Sequence, residues 1–369
     1  MTASRCRSTV GAISRRTKRL GLPASLFFPS IIASVNLLAF LLALLLVLPL
    51  AAAPTAADEI LAAFDTKATA GEDCTELYDP ISTLPGTEQK RLLAEINTTW
   101  TRLRDNYLKQ LALAASKLGG KKTDSLQQVR VHRAAFQQVY AKDEAAMKPL
   151  LTSVSMPAID ALRKLLAPDP EQLVAAGGDK LKAQRMLVLA LARFRDGTIN
   201  AMLATQPIDS TSSVTAAEHE LAEATCGFAR GDLNMLAHNR KVAKASDLPE
   251  AEARGIEECN ELRMLVGLNA LLLDPKLCEA ARDHSKDMAE KGFFAHESPV
   301  PGKKSPWDRA KNFGTTAAGE NIFMGSSEPH AANMGWFYSP GHHKNMFSPG
   351  QLRIGLGCTG SHWTQMFGR

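Results

Sequence analysis

"LDPKLCEAARDHSKDMAEKGFFAH", residues 273–296, carries the start and the stop of one helix in a single line. Asp274 suits an N-cap and Pro275 the first helical position, where its missing N–H costs nothing. Gly292 suits the end of the helix. A helix "IEECNELRMLVGL" precedes it, from Ile256. Loop-rich sequence follows, then a helix around Ala331–Tyr338 and short strands around "GENIFM", "RIGLGC" and "HWTQMF". Helices and strands interleaved in this way imply an α+β layered domain over residues 256–369.

Upstream the pattern is helical. Leu92, Leu93, Ile96, Trp100, Leu103, Tyr107 and Leu111 recur at steps of three and four, which places one apolar face on a helix over Thr87–Lys117. Further helices are expected over Ser125–Leu151, Met156–Leu166, Lys180–Ala204 and Ala216–Ala245, the last capped by Ser213 or Thr215. The separators "LGGKK", "APDP", "AAGGD" and "QPIDSTSS" are turn compositions. Residues 58–255 show no strand-like alternation of useful length and no cluster of catalytic residue types. His132, His219 and His238 are read as ordinary surface or partly buried side chains. This half is expected to be a helical bundle that presents or spaces the C-terminal domain.

Residues 1–57 hold six basic side chains (Arg5, Arg7, Arg15, Arg16, Lys18, Arg19) and no acid. They include "IIASVNLLAFLLALLLVLPL", Ile31–Leu50, and then "AAAPTAADE". This is the order of a secretory signal, with cleavage expected after Ala57. Twenty apolar residues also reach across about 30 Å of hydrocarbon, so an uncleaved membrane anchor fits equally well. Either places the rest of the chain outside the cytoplasm. That remainder carries 37 basic against 38 acidic side chains, which removes the electrostatic case for nucleic-acid binding. Hydrophobic residues at 45% and charged residues at 22% exclude a mainly disordered chain. Outside the cytoplasm cysteines can bridge. Pairs Cys278–Cys358 and Cys226–Cys259 are expected, with Cys74 left over and Cys6 on the cytoplasmic side.

Six of nine histidines lie beyond residue 280: His284, His296, His330, His342, His343 and His362. Together with Glu320 they supply ligand types that suit zinc or another divalent cation, although no HExxH spacing is present. Ser339 suits an N-cap and Pro340 the first position of a short helix, so His342 and His343 lie about 100° apart around its axis. His342 shares a face with Asn345 and Met346, whereas His343 sits beside Lys344 and is expected to face water.

The ordered motifs "LNALLLDPKL", "SKDMAEKGFFAH", "AGENI", "WFYSPGHHKNM", "RIGLG" and "HWTQMF" resemble the bacterial form of the cysteine-rich secretory protein, antigen 5 and pathogenesis-related superfamily, the CAP or SCP domain. The resemblance covers about residues 257–369. It implies an α-β-α sandwich on a small antiparallel sheet, with a cleft lined by His296, Glu320, His342 and His362, the same four being possible metal ligands. Where animal and plant members carry a second glutamate, this chain has Ser339, one carboxylate fewer for a cation or for acid–base work. Members of the superfamily are mostly non-enzymatic, and the expected function is an extracytoplasmic protein whose cleft binds a small molecule, lipid, envelope component or divalent ion. A metal-dependent hydrolase using Glu320 on a bound water, and a structural envelope protein, are the alternatives. Ser298 and Ser339 both adjoin proline and are read as turn residues rather than nucleophiles.

Overall fold

The computed structural model describes residues 54–70, 73–118, 124–165, 170–175, 177–178 and 230–369. The basic start, the apolar run Ile31–Leu50, the helix expected over Lys180–Ala204, the cap at Ser213 or Thr215, His219, Cys6 and Cys226 lie outside the described residues. Among those described, no helix is long and apolar enough to cross a membrane.

Seven α-helices of the described residues precede residue 250: α1 (Ala56–Ala70), α2 (Gly86–Leu118), α3 (Asp124–Tyr140), α4 (Glu144–Leu150), α5 (Met156–Leu165), α6 (Pro170–Ala175) and α7 (Arg230–Ala245). A 3-10 helix, Thr75–Thr83, joins α1 to α2. The helix expected over Ser125–Leu151 is two. Asp143 ends the continuity because its carboxylate accepts from the Ala146 N–H at 2.8 Å and opens α4 as an N-cap. Leu92, Leu93, Ile96 and Trp100 are buried, as the apolar face of α2 requires.

The remainder is layered. Helix α8 (Glu250–Leu265) starts six residues before Ile256, after Pro249. It leads through β1 (Leu272–Leu273) to α9 (Pro275–Lys291), then α10 (Pro306–Asn312), β2 (Gly319–Met324), α11 (Pro329–Phe337), α12 (Pro340–Met346), β3 (Arg353–Thr359) and β4 (His362–Gly368). The sheet order is β1-β3-β4-β2. Its three long strands are antiparallel, whereas the two-residue β1 pairs parallel to β3. Helix α9 begins and ends as its residues dictate: the Asp274 carboxylate accepts from the Lys276 and Leu277 N–H groups, and Gly292 sits at φ 67°.

Glycine decides how closely α9 approaches the sheet. A Cβ at Gly355 would come 2.4 Å from the Leu277 backbone, and one at Gly357 only 2.0 Å from the Arg282 nitrogen. Those two residues mark the α9 face of β3, so Leu356 and Cys358 point to the opposite face, under α8. Cys358 therefore cannot bridge to Cys278, which rides on α9. Cys259, Cys278 and Cys358 are all thiols. Burial raises each of them, Cys259 to about 12 and Cys358 to about 11.

One core runs from Ala57, Phe64 and Trp100 through Phe136 and Leu236 to Ile354, Trp363 and Phe367. The described residues from Pro54 to Arg369 form a single compact unit, so the change of composition near Ile256 is no seam in the packing. Polar contacts sew the halves together. The Arg133 Nε donates to the Leu265 carbonyl at 3.0 Å. Beside β1, the Asn239 carboxamide donates to the Leu271 carbonyl and accepts from the Leu273 N–H, both at 2.8 Å. His238, expected on a polar face, is buried at this junction and meets Asp79 at 3.1 Å.

Candidate functional site

Strand β2 sets the first residue of the site. Asn321 faces the α12 side and hydrogen-bonds Gln365 at 2.9 Å and the His342 carbonyl at 3.3 Å. Glu320 therefore faces the α9 and α10 side. There its carboxylate is almost fully buried, its side chain 2% exposed. Two partners hold it. Arg309, itself without exposure, donates to Oε2 at 2.5 Å, and the His296 Nδ1 lies 2.9 Å from Oε1.

A carboxylate only accepts, so the His296 Nδ1 carries a proton directed at Oε1 and Nε2 is left facing away from Glu320. Arg309 also grips the loop that carries His296: it donates to the His296 carbonyl at 3.1 Å and to the Lys303 carbonyl at 2.9 Å. Buried His284 on α9 holds the same loop from below, with Nε2 3.1 Å from the Ala295 carbonyl, and burial lowers its pKa. His296 is thus a half-exposed ring on a rigid mount.

His342 comes from the other side. Ser339 and Pro340 open α12 where the sequence places them, although the Ser339 side chain makes no capping bond. Asn345 ties the helix to β2, donating to the Glu320 carbonyl at 3.1 Å and to the Asn321 side chain at 2.9 Å. The His342 ring centre then lies 6.3 Å from that of His296. Its pKa is lowered by burial and by His296, and raised by the charge of Glu144 on α4.

His343 corrects the expectation of a solvated ring. It has no exposed surface, and Phe136, Phe337 and Phe347 surround it at ring separations of 5.3, 4.9 and 4.5 Å. Its Nδ1 lies 2.8 Å from the Phe337 carbonyl, and burial pushes its pKa down to about 4. The two adjacent imidazoles do face apart, as the helix geometry requires, but the second meets α3 rather than water.

His362 is the residue that stands away. Glu320 pairs with Met366, and His362 pairs with Met324 at the far end of β2. Four residues of strand separate Glu320 from His362, about 13 Å along the sheet. A divalent cation held by His296, Glu320, His342 and His362 is therefore not what this geometry offers. Both Glu320 oxygens are engaged, the adjacent guanidinium opposes a second cation, and only two imidazoles converge. Among the described residues, no group of three or more His, Cys, Asp or Glu side chains is arranged to hold a metal ion.

Comparison with known proteins places this segment. The model of the cysteine-rich secretory protein family, CAP, matches residues 256–367. Residues 256–367 are a CAP domain. The uncharacterized protein YkwD of Bacillus subtilis (strain 168) is 29% identical over 242 residues, 64% of this chain and 91% of its own length, a span that extends beyond the CAP domain. The uncharacterized membrane protein YlbC of the same organism is 31% identical over 117 residues, 32% of this chain and 34% of its own. A solved extracellular protein containing an SCP domain, from Bacillus anthracis str. Ames, has 30% identity over 32% of this chain and 41% of its own, with a TM-score of 0.30. This chain thus spans well under half of the last two.

Arg309 was not among the residues expected in the CAP cleft, although the sequence announces its helix. Ser305-Pro306-Trp307-Asp308 is a capping box with proline at the first helical position. The Ser305 hydroxyl accepts from the Asp308 N–H, and the Asp308 carboxylate accepts from the Ser305 N–H.

Proposed function

We propose that this chain is an extracytoplasmic CAP-domain protein that binds a small polar ligand between His296 and His342 without transforming it. The observation that carries this reading is the state of Glu320. Its carboxylate is buried and shared between Arg309 and His296, so it orients an imidazole and is not available as a base toward a ligand. His296 and His342 then offer hydrogen bonds across a gap between their rings. Neither Ser298 nor Ser339 supports covalent chemistry: Ser298 is buried and accepts from the Val300 N–H at 3.2 Å, and Ser339 starts a helix. Export is supported by the basic start followed by the apolar run Ile31–Leu50, whether that run is cleaved or retained.

The test uses the full chain. Purified protein is incubated with a cell-envelope extract, washed and denatured, and the released small molecules are identified by mass spectrometry. A species retained by the native protein should be lost from His296→Ala and His342→Ala and kept by His362→Ala. Equal retention by all four proteins sinks the proposal.

A further inference from the structure

The helical half reaches the site through one side chain. Glu144 lies in the first turn of α4, and α4 packs against α12. Its carboxylate stands over Gly341, where the position of a Cβ would be 3.4 Å from Oε1. Position 341 thus lies in van der Waals reach of the Glu144 carboxylate, one residue before His342. The position of α4 is fixed on both sides: Met147 is buried within the helical half, and Phe136 of the adjoining α3 packs on His343 and on Phe347, the latter at a ring separation of 4.8 Å.

The charges around the two imidazoles are uneven. Glu320 is neutralised by Arg309 at 2.5 Å. The Asp143 carboxylate is occupied by the Ala146 N–H. Glu144, in contrast, has no ion pair or hydrogen bond among the described residues, and its field is felt at His342. The site therefore presents two imidazole rings and, beside them, one carboxylate with no ion-pair partner among the described residues.

We propose that Glu144 completes the cleft as a specificity-determining residue, making it selective for a small organic cation with N–H donors, a primary ammonium or guanidinium. The proposal rests on the ligand-binding reading above. The ammonium or guanidinium N–H groups meet the carboxylate and the imidazole nitrogens, and an anion meets repulsion at the same place. The helical half is then part of the recognition surface, and the absence of a glutamate at position 339 is made up from another element of the chain.

The experiment is ligand-observed NMR titration of the full chain with n-butylammonium and n-butylguanidinium, with n-butyrate as the isosteric anion and zinc chloride as a separate arm. Both cations should bind more tightly than butyrate. Glu144→Gln should weaken them about fivefold, the size an exposed ion pair sustains, and Glu144→Lys should reverse the order. Glu144 is exposed, so an unchanged melting temperature establishes that both variants fold. Equal binding of butyrate, cation affinity indifferent to Glu144→Gln, or Glu144-dependent binding of zinc in place of the organic cations would each overturn the proposal. Failure here with the envelope-extract species still held by His296 and His342 removes only the selectivity. Loss of both removes the cleft reading itself.

Discussion

Replacing His343 by phenylalanine tests whether its ring is held neutral by the packing of the two halves. An ordinary histidine titrates near 6.5, and burial takes His343 to about 4. As pH falls below 6.5 the unfolded chain takes up a proton on this ring and the native chain does not, so native stability falls until about pH 4 and then levels. At about 1.4 kcal/mol per pH unit the loss amounts to about 3 kcal/mol. His343→Phe keeps an aromatic ring in the cage but leaves the Phe337 carbonyl without its donor, a cost of about 1–3 kcal/mol at every pH. Wild type should therefore be the more stable at pH 7.5, with that advantage cancelled or reversed at pH 4. Urea denaturation of both proteins followed by tryptophan fluorescence across this range gives the difference directly. His238, His284 and His342 also have lowered pKa values and act in the same direction, but they cancel between the two proteins. A wild-type-to-variant difference that stays constant from pH 7.5 to 4, or an NMR titration of His343 near 6.5, refutes the reasoning.

Arg309→Met leaves the Glu320 carboxylate buried without its cation and should cost about 3–5 kcal/mol in urea denaturation, while the double variant with Glu320→Gln should regain much of that loss. Alkylation in denaturant without reductant should modify Cys259, Cys278 and Cys358 by mass spectrometry, whereas in the native protein Cys259 and Cys278 should stay unmodified; a missing adduct on any of the three after denaturation would indicate a bridge.

Local signals were readable where one short segment contains the whole cause. Asp274, Pro275 and Gly292 bound α9, and Ser339 with Pro340 opens α12, because caps act within a few residues. Asp143 and the Ser305–Asp308 box are signals of the same kind, and the second opens the helix that carries Arg309. His343 could not be placed from its neighbours alone: Phe337 and Phe347 are local, but the third ring of its cage, Phe136, is supplied from more than 200 residues upstream. His362 shows the opposite failure. Its motif resembles that of a cleft histidine, yet its place is set by the pairing of β4 with β2, which puts it opposite Met324 instead of Glu320. The hold of Glu320 on His296 and the approach of His342 to His296 depend on Arg309, Asn321 and Asn345, whose roles emerge only when the sheet and α12 are assembled.

The side chain of Asn239 has a consequence for how this protein meets its neighbours. A bare sheet margin invites a foreign segment to dock as an extra strand, and it seeds clumping when many copies are crowded together. By occupying the Leu271 carbonyl and the Leu273 N–H, one carboxamide from α7 takes the place such an intruder would need. Recruitment of another polypeptide by backbone zippering is closed off at that margin, and association there must work through side-chain surfaces.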